Sequence, residues 1–164
     1  MNRAPLIAVA LAFIPAIAVA AESDAYAPLK RYEGKWIATS SGGKTTAIEN
    51  RCARTGLFFV CEQGVNGKAA ALVVFLPRAQ EGPAEVYRTQ ALTAAGDRPG
   101  PWHVLTIEGD RWVYADAEAP RGKAHRERTI NTFSGPDHIH FEVQRSFDGK
   151  TWTTTMSGDE RRAP

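Results

Sequence analysis

His138 and His140, with Glu142 two residues further on, sit in the stretch "HIHFEVQRSFDGKTW". Residues two apart in a strand project from one face, and two imidazoles with a carboxylate on one face form a zinc-type ligand set. His103 with Asp116 is a second pairing, because a carboxylate beside an imidazole orients it and raises its basicity for general-base work. Neither has an evident nucleophile to serve. No Gly-x-Ser-x-Gly elbow occurs, and Cys52 and Cys61 are expected to be joined. "SSGGKTT", Ser40 to Thr46, echoes a phosphate-binding loop, but Ala38 stands where its first glycine belongs. No helical pattern follows, so that stretch reads as a Gly-Gly hairpin turn.

What these side chains can do depends on the compartment and on the elements that carry them. Residues 1–20, "MNRAPLIAVALAFIPAIAVA", have one charge, at Arg3, then an apolar run closing on Ala18-Val19-Ala20. That is the pattern of a secretory signal peptide, with cleavage expected after Ala20. The expected mature chain, residues 21–164, is a single domain, periplasmic or secreted, with no stable membrane anchor. The whole chain's 20 Lys and Arg against 18 Asp and Glu, net +2, alternate in sign without a basic block. Electrostatic binding to nucleic acid or to an anionic membrane is therefore not indicated. An exported chain meets an oxidising compartment, and Cys52 and Cys61 flank a segment that reads as a hairpin, so a disulfide between them is expected.

Asp24 is placed to cap a short helical turn over Leu29 to Tyr32, which Gly34 ends. Beyond Trp36 the chain becomes short runs rich in Val, Ile, Thr and aromatics, separated by Gly, Asn, Asp and Pro. This texture predicts an all-β fold, an antiparallel barrel of about 8–10 strands enclosing at most one small ligand. The Pro- and Gly-rich loops at 78–84, 94–101 and 119–123 would form its rims.

Three dipeptides suited to tight turns set hairpin registers: Asn66-Gly67, Gly109-Asp110 and Asp148-Gly149. The last pairs Arg145 with Trp152, Val143 with Thr154 and Phe141 with Met156 on an inner face, which leaves His138, His140, Glu142 and Gln144 in solvent. The middle one pairs Ile107 with Trp112, Leu105 with Tyr114 and His103 with Asp116. Around Asn66-Gly67 both faces are apolar, Phe58, Val60, Val73 and Phe75 on one, Phe59, Cys61, Leu72 and Val74 on the other. Such a hairpin needs a cover, and "YAPLKRYEG" is the candidate.

The function expected from these faces is non-enzymatic binding of a small apolar or amphipathic ligand. Leu105, Ile107, Trp112, Tyr114, Phe141 and Trp152 would line a cavity, and His103, Asp116 and Arg145 would orient the ligand, with no cofactor. The alternatives are an enzyme or a haem- or metal-binding protein using His103 and Asp116 or His138 and His140, and a filled structural barrel acting through protein contacts.

"YEGKW", with Gly34 and Trp36 after the N-terminal turn, resembles the Gly-x-Trp start of lipocalins and related calycin barrels. The tail "SFDGKTWTTTMSGDERR" resembles the closing strands of an uncharacterised bacterial family of lipocalin-like barrels. The resemblance implies that a basic residue of the last strand packs over Trp36 and closes the barrel floor. Arg162 is the preferred residue, with Arg161 the alternative if a bulge intervenes. The Thr-Asp-Tyr turn of lipocalins has no counterpart here.

Overall fold

The structure, a computed structural model, describes residues 25–77, 84–96, 99–117 and 125–164. A 3-10 helix, Ala27–Tyr32, precedes ten strands: β1 (Gly34–Ser40), β2 (Thr45–Thr55), β3 (Phe58–Val65), β4 (Lys68–Pro77), β5 (Glu85–Thr93), β6 (Pro99–Glu108), β7 (Arg111–Asp116), β8 (Arg126–Phe133), β9 (His138–Ser146) and β10 (Thr153–Arg162). Each strand pairs antiparallel with its sequence neighbours, and β10 pairs with β1, so the sheet closes into an up-and-down barrel. Closure satisfies both edges of every strand. Ten strands exceed the eight of a lipocalin.

The expected leader and Asp24 lie outside the described residues, as do the expected rim loops at 78–84, apart from Ala84, and 119–123. Of the one at 94–101 only residues 97–98 do, and Pro99–Pro101 belong to β6, because their backbone pairs with β5. The helix begins after Tyr26, without a side-chain cap and with Pro28 in its first turn. Among the described residues no helix is long and apolar enough to cross a membrane. The outer face carries exposed Lys35, Arg51, Glu62, Arg88 and His140, which is not the apolar girdle of a membrane-spanning barrel.

The middle hairpin adopts the register expected of it: His103 pairs with Asp116, Leu105 with Tyr114 and Ile107 with Trp112. The other two do not. In β3–β4 the Asn66-Gly67 turn closes Val65 on Lys68, but a bulge at Gln63/Gly64 shifts everything beyond it by one residue. Phe59, Cys61, Val73 and Phe75 therefore face inward together, and Phe58, Val60, Leu72 and Val74 face outward. In β9–β10 the connection is not a two-residue turn. Asp148 accepts hydrogen bonds through Oδ1 from the Lys150 and Thr151 backbone N–H groups, both at 2.7 Å, and from Ser146 Oγ at 3.0 Å. These bonds, Thr151's first, hold its carboxyl well below the usual carboxylate range. The chain is drawn into a wider loop, and with a second irregularity between Thr154 and Met156 the pairs become Arg145 with Thr153, Val143 with Met156 and Phe141 with Gly158.

The expected cover of the β3–β4 outer face is instead a floor. The helix lies across the barrel end where β1 begins, with Tyr26 and Leu29 buried among inward side chains. Tyr26 stacks on Phe59 at 5.5 Å and its hydroxyl donates to the Leu57 carbonyl at 2.6 Å. Tyr32 lies 6.1 Å from Trp36 and 6.5 Å from Trp112, and Trp112 lies 4.7 Å from Phe133. Above this floor Cys52 and Cys61, directly opposed on β2 and β3, form a disulfide. Gly158 is needed where the Phe141 ring crosses β10, since a Cβ there would stand 2.7 Å from that ring and collide with the Thr39 carbonyl.

Candidate functional site

Between the filled floor and the opposite mouth the barrel encloses a cavity of about 530 Å³. A hollow of about 690 Å³ along β1–β5, bordered by Ile37, Glu49, Lys68 and Leu92, is larger, but most of its lining faces outward. The chemistry converges in the interior. Its wall is built mainly from inward residues of β2–β4 and β6–β9, with Tyr32 of the helix: Asn50, Gln63, His103, Asp116, Glu127 and Asn131 supply polar atoms, and Tyr32, Val73, Phe75, Tyr114 and Val143 supply apolar surface.

Of the residues singled out in the sequence, His103, Tyr114 and Asp116 are in this wall. His103 Nδ1 and Asp116 Oδ1 stand 3.6 Å apart, within ion-pair range but beyond a hydrogen bond. Asp116 Oδ2 is buried with no hydrogen-bond partner among the described residues. Leu105, Ile107 and Trp112 also point inward but belong to the packed floor, so they support the cavity from below. Phe141 faces inward over Gly158. Arg145 is not braced on Trp152. It donates to Glu127 Oε1 at 2.9 Å, a pairing of adjacent inward positions on β8 and β9. Trp152 is outside the barrel, with the Arg128 guanidinium 4.1 Å from its ring centroid, because the wider β9–β10 loop removes it from the strand.

Sequence reading missed a buried polar chain beneath the cavity. Gln63 donates to Asn50 Oδ1 at 3.2 Å, and Asn50 donates to the Tyr32 carbonyl at 3.2 Å. The Tyr32 hydroxyl in turn hydrogen-bonds Glu160, which is only 7% exposed and keeps Oε2 without a partner among the described residues. Burial, with Glu160 nearby, pushes the Tyr32 and Tyr114 hydroxyls well above the ordinary tyrosine range. One signal was available. Glu160 is two residues from Arg162, so strand alternation that turns one inward turns the other inward as well.

Burial also raises the Glu160 carboxyl, outweighing its hydrogen bond from Tyr32. The folded protein therefore holds this proton more tightly than the unfolded chain does. The associated stability is complete below the unfolded value of about 4.3 and is lost as pH rises through the raised folded value. Glu160→Gln removes that loss. By urea unfolding its stability relative to wild type should be greater at pH 8 than near pH 4. An offset equal at both pH values would show that ionisation is not its source.

No family model matches the chain, and no curated protein does. Among solved structures, the crystal structure of Rv2717c from M. tuberculosis is similar at 15% sequence identity, with a TM-score of 0.47, over 87% of this chain and 99% of that one.

The histidine pair that suggests a metal lies on the outer face. His138 Nε2 and His140 Nδ1 both contact Asp159 Oδ1, at 2.9 and 3.2 Å, and Glu142 is 3.9 Å from His140 Nε2. The two imidazoles hold the Asp159 carboxyl below the usual range. Among the described residues no group of three such side chains is arranged to hold a metal ion. The pair reads as a cross-strand ladder of the β9–β10 hairpin.

Proposed function

We propose that this protein is an exported, lipocalin-like carrier barrel that holds one small amphipathic ligand in its interior and catalyses no reaction on it. The observation that carries the reading is the cavity: about 530 Å³, within the range of small-molecule sites, with both polar groups and apolar surface in its wall. The polar share of the wall shifts the expected ligand from purely apolar to amphipathic. Both cysteines are tied in the disulfide, which withdraws the chain's thiols from nucleophilic chemistry and accords with an oxidising compartment. The leader-like residues 1–20 support the same compartment.

Native mass spectrometry of the protein purified from a cell-envelope fraction tests this. The expected result is a bound mass of a few hundred daltons that is released on denaturation. Thr129→Trp, which places a bulky ring in the cavity wall, should abolish that mass while the variant still unfolds cooperatively. A protein with no bound mass that also takes up no apolar dye would sink the carrier reading in favour of a filled structural barrel.

A further inference from the structure

We infer that the cavity selects a ligand carrying a positive charge, an ammonium group on an apolar body, and that Asp116 is its anchor; this rests on the carrier reading above. The wall carries both signs, with Arg128 at its border and Arg145 on Glu127, but its two carboxylates are unequally paired. The register that pairs Ala115 with Arg128 sets Asp116 beside Glu127, two carboxylates on adjacent strands facing the same cavity. Like charges in that position repel, and such an arrangement persists where a cation offsets it.

Glu127 has its cation in Arg145 at 2.9 Å, with His125 Nε2 at 3.4 Å. Asp116 has His103 at 3.6 Å, and its second oxygen is buried and unpartnered among the described residues. The Arg128 guanidinium does not serve the cavity, because it is turned outward onto Trp152 and Gln144. A second buried carboxyl also leaves an oxygen without a partner among the described residues. Glu160, more than nine-tenths buried on the inward face of β10, leaves Oε2 without a partner and interacts with Tyr32 and Tyr114, both in the cavity wall.

Buried acceptors without donors demand N–H or O–H groups from whatever occupies the space. An ammonium group supplies three donors and the missing charge, and the Tyr114 ring beside Asp116 offers a face for a cation–π contact. A carboxylate ligand would meet two carboxylates on adjacent strands, and their repulsion disfavours it.

The probes are three indoles matched in body and different in charge: tryptamine, tryptophol and indole-3-acetate. Each is titrated into the mature protein at fixed ionic strength, by calorimetry and by following backbone amide shifts. Tryptamine should bind with shifts at cavity residues, tryptophol about tenfold or more weakly, and indole-3-acetate not at all. Asp116→Asn should abolish the preference of tryptamine over tryptophol, and Glu127→Gln should reduce it less because Glu127 is already paired. Melting curves of both variants confirm that they are folded. Equal binding of amine and alcohol, or an unchanged preference in a folded Asp116→Asn protein, overturns the charge selection and leaves the carrier reading standing. No binding by any probe, with no shifts in the cavity, overturns both.

Discussion

Deletion of Ala25–Tyr32 should lower the melting temperature by about 20 °C or abolish cooperative unfolding altogether. The segment is the barrel floor. Tyr26 and Leu29 are each 2% exposed, and they cover Phe59 and Tyr87, while Tyr32 packs on Trp36 and Trp112. Full burial of a large apolar side chain stabilises by about 1.5–3 kcal/mol, and deletion loses three such side chains and uncovers the rings beneath them. The total, about 8 kcal/mol, is most of the 5–15 kcal/mol by which a domain of this size is stable. Leu29→Ala isolates one part of it and should cost about 3 kcal/mol, since the hole it leaves is closed on every side. Thermal and urea unfolding followed by tryptophan fluorescence reads both, with a red-shifted native spectrum for the deletion as Trp36 and Trp112 meet water. A deletion protein that melts like wild type, with unshifted emission, would rule out the floor.

The same residues show what was legible in the chain and what was not. Alternation and turn dipeptides were enough for an all-β antiparallel barrel, and for the β6–β7 register, because that hairpin has a two-residue turn and unbroken pairing from Glu108–Arg111 to His103–Asp116. They failed wherever an extra residue entered a strand. The extra residue opposite Gln63/Gly64 is Ala70, which inverts the faces of β4 against β3, and a period-two pattern cannot report it when both faces are apolar. In β9–β10 the Asp148 carboxylate organises a wide loop from a dipeptide that equally suits a tight turn. The resulting shift moves Trp152 out of the barrel and places Gly158 opposite Phe141. The interior chemistry was half visible for the same reason. His103 and Asp116 emerged from the one clean hairpin; Asn50 and Gln63 are cross-strand partners on β2 and β3, but Glu160 joins them, through Tyr32, only because β10 closes on β1, which no local pattern encodes. The N-terminal helix carries enough apolar surface to signal a cover, but only closure of the barrel determines that it plugs an end.

Arg162→Ala should cost about 3 kcal/mol, the second-largest loss expected from a local change. The guanidinium lies 4.3 Å from the centroid of the Trp36 ring and donates to the Glu33, Arg31 and Pro136 carbonyls at 2.8, 3.2 and 3.2 Å. One planar group thus ties β10 to the end of the helix, to the start of β1 and to the β8–β9 turn. Its ion pair with Asp137, at 3.0 Å, is exposed and contributes little. Most of the loss comes from the charge-assisted hydrogen bonds and the cation–π contact. Arg162→Lys should recover less than half, because an ammonium group cannot serve carbonyls in several directions while lying flat on an indole. Gly34 supplies the decisive control. Its φ of +110° disfavours any side chain, and a Cβ there would stand 2.6 Å from Arg162 Nη1. Gly34→Ala therefore carries two costs in wild type, backbone strain and collision, and only the strain survives in Arg162→Ala. A double-mutant cycle by urea unfolding should show the double variant about 1 kcal/mol more stable than the sum of the single losses predicts. Strict additivity would mean that Gly34 serves the backbone alone, and that the guanidinium does not occupy the space above it.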